Sequence, residues 1–167
     1  VTPVANLTKS EGDTLGAGDF CVTASGGALV YAWRKTGSTA TYPAARCLNI
    51  ATLSSSDAGT YEVTVSNTMG SEKSSAVLTV NARQIAPVIT QAPQPATGVV
   101  GGSQTFTVVA VGNPAPQFQW KKNDVDIPNK TTATLTLTNL QTTDAGNYSV
   151  RVYNTLGSTT STPAALT

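Results

Sequence analysis

The sequence predicts an all-β chain of two tandem β-sandwich domains, and three observations predict it. Asp57-Ala58-Gly59-Thr60-Tyr61-Glu62-Val63 returns 87 residues later as Asp144-Ala145-Gly146-Asn147-Tyr148-Ser149-Val150. A tryptophan precedes each copy at the same spacing, Trp33 and Trp120. Apolar and polar residues alternate in short runs separated by Gly, Pro, Asn and Ser, the period of half-buried strands rather than helices. A repeat of this length makes each copy one small domain, with the division expected at 1–82 and 83–167.

Composition narrows the function classes. Charged residues are 11% of the chain and the formal net charge is +1. No basic stripe exists, so nucleic acid is not an expected partner. No apolar run reaches membrane-spanning length, so no membrane insertion is expected. Histidine is absent, which excludes a Ser-His-Asp triad and a histidine metal site. The chain begins at Val1 without a leader pattern, which fits either a small protein trimmed of its initiator or a segment of a longer one.

In the first copy, Phe20, Val22 and Ala24 share one face of a strand. The next strand carries Trp33. Leu48, Ile50 and Leu53 follow on alternate or turn-adjacent positions, then Tyr61, Val63 and Val65. Thr68-Met69-Gly70 closes a hairpin. Val80 to Pro87 is a short junction with one proline. In the second copy, Thr105 to Ala110 is a strand with Phe106, Val108 and Ala110 inward. Gly112-Asn113-Pro114-Ala115-Pro116 is a loop, and Gln117 to Lys122 a strand with Phe118 and Trp120 on alternate positions. Ala133 to Leu140 and Tyr148 to Tyr153 complete the pattern, the latter with Tyr148, Val150 and Val152 inward.

Trp33 and Trp120, with Asp-Ala-Gly-x-Tyr-x-Val before the sixth strand, resemble the immunoglobulin-like fold over essentially the whole chain. The resemblance implies that Tyr61 and Tyr148 are tyrosine corners, each hydroxyl bonding back to nearby backbone, and that Asp57 and Asp144 stabilise a turn rather than catalyse. It also exposes a departure. Where animal members usually bridge their B and F strands with a disulfide, this chain has Val22 and Val63, and Val108 and Val150. The implied core of Trp33, Trp120, Tyr61, Tyr148, Val22, Val63, Val108 and Val150 is therefore closed by hydrophobic packing. Disulfide-free copies of this kind look like the repeats of bacterial surface proteins and tailed-phage virion proteins.

The two cysteines, Cys21 and Cys47, sit beside core positions. The phase set by Phe20 and Val22 turns Cys21 outward, and Leu48 and Ile50 turn Cys47 outward. The family's register would place them opposite one another on neighbouring strands, implying a Cys21–Cys47 disulfide. A rival phase remains open, because Trp33 lies twelve residues after Cys21 as Trp120 does after Val108. It would turn Cys21 inward as a lone thiol. Two exposed thiols, or a bond to another subunit, also remain.

A search for chemistry yields little. Asn123, Asp124 and Asp126 could hold calcium, but three oxygens fall short of the six to eight that Ca²⁺ takes, and turn chemistry explains them. Asn6-Leu7-Thr8, Asn129-Lys130-Thr131 and Asn147-Tyr148-Ser149 match the glycosylation pattern. Lys121 and Lys122 sit at a strand end, a poor place for an isopeptide bond. Tyr31, Tyr42, Tyr153 and Arg151 are candidate exposed contacts, as are the loops 26–29 and 112–116. Segments 1–7 and 164–167 are candidate edges for strand addition. No cofactor, metal or catalytic group is expected.

The resemblance implies a non-catalytic surface display or adhesion protein. The expectation is a tailed-phage virion decoration or fibre protein, located on the virion surface. Its partners would be a capsid or other virion protein and a host-cell surface glycan or protein. The alternative is a spacer or adhesion segment of a secreted bacterial cell-surface protein.

Overall fold

The computed structural model describes all 167 residues, Val1–Thr167. They form two compact units, Val1–Arg83 and Gln84–Thr167, one residue from the division read in the sequence.

The first unit contains β1 (Leu7–Ser10), β2 (Leu15–Cys21), β3 (Val30–Lys35), β4 (Cys47–Ile50), β5 (Gly59–Asn67) and β6 (Gly70–Asn81), with a 3-10 turn at Ser55–Asp57. One sheet runs in the order β1-β6-β5-β3, and β2 pairs with β4 in the other. The β2–β4 register shifts between Leu15 and Phe20. Gly18 has φ +101° within that stretch, a conformation that only glycine adopts without strain, and the Asp19 carboxylate accepts the Gly16 amide at 3.0 Å.

The second unit contains β7 (Ile85–Gln91), β8 (Ser103–Thr107), β9 (Val109–Asn113), β10 (Gln117–Lys122), β11 (Val125–Asp126), β12 (Thr134–Thr138), β13 (Gly146–Asn154), β14 (Gly157–Thr160) and β15 (Ala164–Leu166), with a 3-10 turn at Thr142–Asp144. One sheet is ordered β11-β10-β13-β14, with β15 also on β13, while β8 pairs with β12 and β9 with β7. The strand read as one run from Thr105 to Ala110 is two. It changes partner at Val108, whose amide donates to the Ala133 carbonyl at 3.0 Å. The run read as a loop from Gly112 is partly strand, because β9 continues through Asn113 against Ile85. The β7–β9 register breaks between Ile85 and Val88, where Pro87 has no amide to donate.

Each unit encloses its own core. Val22, Val63, Trp33 and Tyr61 belong to the first, with Leu15, Phe20, Leu48 and Leu78. Val108, Val150, Trp120 and Tyr148 belong to the second, with Phe106, Leu135, Val152 and Leu166. Burying each such side chain stabilises the fold by about 1.5–3 kcal/mol. Phe20 packs on Trp33 at 5.9 Å and edge-on to Tyr61 at 6.0 Å. Phe106 lies 6.3 Å from Trp120 and 5.1 Å from Tyr148. The indole N–H groups are satisfied: Trp33 donates to the Ala45 carbonyl at 2.8 Å and Trp120 to the Thr132 carbonyl at 2.9 Å.

Two expectations are corrected at the edges. Ala164–Leu166 is not an open edge: it pairs with β13 and bridges Ala96. The N-terminal segment is also engaged, with Thr2 bridged to Thr23 and the Val4 amide donating to the Ser74 hydroxyl.

Candidate functional site

The residues that the repeat singles out are structural in their contacts. The Tyr61 hydroxyl donates to the Asp57 carbonyl at 2.9 Å, and Tyr148 to the Asp144 carbonyl at 2.7 Å. The Asp57 carboxylate accepts the Ser54 amide and the Asp144 carboxylate the Gln141 amide, both at 2.8 Å. These four groups pin each 3-10 turn against the strand that follows. Burial raises the Tyr61 phenol well above its ordinary value, with Tyr42 adding to the shift. Burial, then the Asp144 charge, raises Tyr148.

A lysine completes each corner, and sequence reasoning missed it. The Lys35 ammonium donates to the Ser56 carbonyl and lies 5.9 Å from the Tyr61 ring centroid. Lys122 repeats this with the Thr143 carbonyl and Tyr148 at 5.7 Å. The signal was present: both lysines stand two residues after the tryptophan. Gly59 and Gly146 follow from the same packing. Their φ values are +146° and +150°, and a Cβ would meet the Lys35 Cε at 2.7 Å and the Asn123 Oδ1 at 2.9 Å.

Cys21 and Cys47 are bonded to each other, opposite in register on β2 and β4, with Cα atoms 4.0 Å apart. Their neighbours Phe20, Val22 and Leu48 point into the core, so the bridge lies on the outer face of that sheet. The phase that would turn Cys21 inward is not the one adopted.

Other sequence candidates are committed elsewhere. The Asn123 carboxamide oxygen accepts the Asn147 amide at 2.9 Å, and Asp126 pairs with Lys121 at 3.4 Å. Asn123 and Asp124 form a left-handed turn, with φ of 48° and 67°. Tyr42 is not a free contact. It packs edge-on against Tyr61 at 5.6 Å. Tyr31 is half-buried against the first core.

Arg151 and Tyr153 are different. Both point away from the second core, alternating with the buried Val150 and Val152 on β13. The Arg151 guanidinium lies 5.2 Å from the Tyr153 ring centroid. In register beside Arg151 stand Gln119 on β10 and Thr160 on β14; beside Tyr153 stand Gln117 and Ser158. Arg151 takes part in none of the four ion pairs. The matching face of the first unit is neutralised, with Glu62 bridging Arg34 at 2.9 Å and Lys73 at 3.1 Å. Those cations, Lys73 foremost, hold the Glu62 carboxyl below its usual range. Two open concavities, of about 510 and 240 Å³, meet at Gln117 and Tyr153. One extends past Pro116 to Thr131 and Thr132, the other past Pro114 to Thr155.

The first unit has a mouth of its own, about 340 Å³, lined by Ser25, Leu29, Asn67, Met69 and Glu72 among others. The Asn67 amide donates to the Gly27 carbonyl at 3.2 Å, tying the 26–29 loop to the β5–β6 hairpin. Met69 stands 90% exposed at the rim.

Comparison with known proteins agrees with this architecture. The family profile for the Immunoglobulin domain matches residues 86–154. The mouse Peroxidasin homolog is 31% identical over 170 residues, covering 94% of this chain and 11% of that protein. Drosophila melanogaster Neuroglian is 36% identical over 110 residues, 60% of this chain and 8% of that protein. Human Roundabout homolog 3 is 31% identical over 123 residues, 68% and 9%. The chain thus spans about a tenth of the length of these relatives. Among solved structures, titin domains Z1Z2 in complex with telethonin give a TM-score of 0.56 at 24% identity, covering 99% of this chain and 93% of that one. Dpr11 IG1 bound to DIP-gamma IG+IG2 gives 0.56 at 17% identity, covering 100% and 96%. At these identities the likeness establishes the fold: an immunoglobulin-like, all-β sandwich.

Proposed function

We propose that the chain is a non-catalytic display and adhesion module working on an exterior surface. One observation carries the reading. The buried interior consists of aliphatic and aromatic side chains with three serines, Ser74, Ser149 and Ser161, so reactive and charged groups are left to the outer faces. An external disulfide between Cys21 and Cys47 suits an oxidising compartment. The structural relatives add support of a general kind, since both solved neighbours are complexes with another protein.

The carrier we assign is a virion surface, with one sandwich docked on a capsid or other virion protein and the other free to touch a host-cell glycan or protein. The second reading is a spacer or adhesion segment of a secreted bacterial cell-surface protein. It is favoured by the size of the matched relatives, of which the chain spans about a tenth.

Gold-labelled antibodies against the chain, applied to intact phage particles and to intact bacterial cells, test both. Label at regular sites on unbroken particles is expected. Label along the cell exterior would transfer the assignment to the second carrier. Label that appears only after lysis would overturn exterior display altogether.

A further inference from the structure

We propose that the outer face of the β10–β13–β14 sheet binds a linear, uronate-containing polysaccharide. This rests on the display and adhesion reading and names what is gripped. The face carries two cations, Arg151 and Lys121, and Arg151 has no carboxylate beside it in register: its neighbours are Gln119 and Thr160. The nearest acid on that sheet, Asp126, is already paired with Lys121. An exposed guanidinium left uncompensated in one repeat, where the other repeat neutralises its cations through Glu62, fits an anionic partner.

The chemistry of that partner follows from the geometry. The Arg151 guanidinium lies over the Tyr153 ring, 5.2 Å from its centroid, and its N–H groups form the fork that matches a carboxylate. Gln117, Ser158 and Thr160 supply neutral donors and acceptors of the kind that pair with sugar hydroxyls. Two concavities border this face only at Gln117 and Tyr153, one running toward Thr131 and the other toward Thr155, and neither reaches Arg151.

The test is a calorimetric and NMR titration of the full chain with three probes: an oligogalacturonate, a neutral galactan oligomer of equal length, and poly-L-glutamate. Oligogalacturonate is expected to bind, to shift the amides of Gln117, Gln119, Arg151, Tyr153 and Ser158, and to weaken with added salt. Arg151→Ala should cut affinity about tenfold, the scale of one charge-assisted contact. Arg151→Lys should restore only part, since it keeps the charge but loses the fork. Arg151 is exposed, so both variants should melt as the parent does, and that melt is recorded alongside. Equal binding of the neutral oligomer, equal or tighter binding of poly-L-glutamate, shifts confined to other faces, or an unaltered affinity in Arg151→Ala would each overturn the proposal. If the chain labels intact surfaces yet ignores oligogalacturonate, this inference fails and the display reading stands. If the chain is never exterior, that reading fails whatever the titration gives.

Discussion

The hydroxyl of Tyr61 reaches back four residues to the carbonyl of Asp57 at 2.9 Å, tying strand β5 to the turn that launches it. Tyr148 and Asp144 repeat the contact at 2.7 Å. Tyr61→Phe or Tyr148→Phe should each cost about 1 kcal/mol, the net value of one hydrogen bond. Denaturant melts that resolve the two units would show it, with only the altered unit affected.

The same phenols set a pH limit. Burial raises both above the ordinary 10.0 of a free tyrosine, so the folded state holds these protons more tightly than the unfolded chain. Their stability contribution is complete below the unfolded value and is lost as pH rises above it toward the folded value. Thermal melts should therefore show no tyrosine-linked loss until alkaline pH, then a decline. Tyr61→Phe should flatten that decline in the first unit.

Cys21 and Cys47 close a loop with a sequence separation of 26 residues. The loop-entropy model gives the bond about 3–4 kcal/mol. Reduction, or the paired Cys21→Ser and Cys47→Ser variant, should lower the first calorimetric transition and leave the second in place. Alkylation of the unreduced native chain should label no thiol.

Trp33 and Trp120 are 5% and 0% exposed and anchor separate cores. Either change to Ala should cost roughly 3–5 kcal/mol, the usual effect of truncating a large core aromatic. A loss below about 1 kcal/mol, the scale of a single hydrogen bond, would contradict the core role.

Gly146 combines a φ of +150° with close approach to the Asn123 side chain. Gly146→Ala should destabilise the second unit by about 1–3 kcal/mol, the range for a residue held in a disfavoured backbone region. The melt of the first unit should not move.

What was legible in the sequence follows from how local each signal is. Tyr61, Tyr148, Asp57 and Asp144 act within a single turn, so a short motif encodes them. The inward faces through Val22, Val63, Val108 and Val150 follow from period-2 alternation, which one strand carries alone. The change of partner at Val108 was not legible, because it depends on which strands lie alongside. Tyr42, only a candidate contact by sequence, lies in a loop with no period to show which way it points; its packing against Tyr61 is a tertiary matter. Lys35 and Lys122 were readable from their fixed offset after each tryptophan. Arg151 and Tyr153 were readable as outward by parity, whereas the absence of any neighbouring acid required the register of β10 and β14.

Hydrogen exchange on the intact chain tests the central claim most directly, that two separate cores hold the molecule and leave its outer surfaces to act. The account predicts two maxima of amide protection, one across Tyr61 to Val65 on β5 and one across Tyr148 to Val152 on β13, with fast exchange at the 26–29 loop. Protection concentrated in only one copy, or absent from both of these strands, would contradict it.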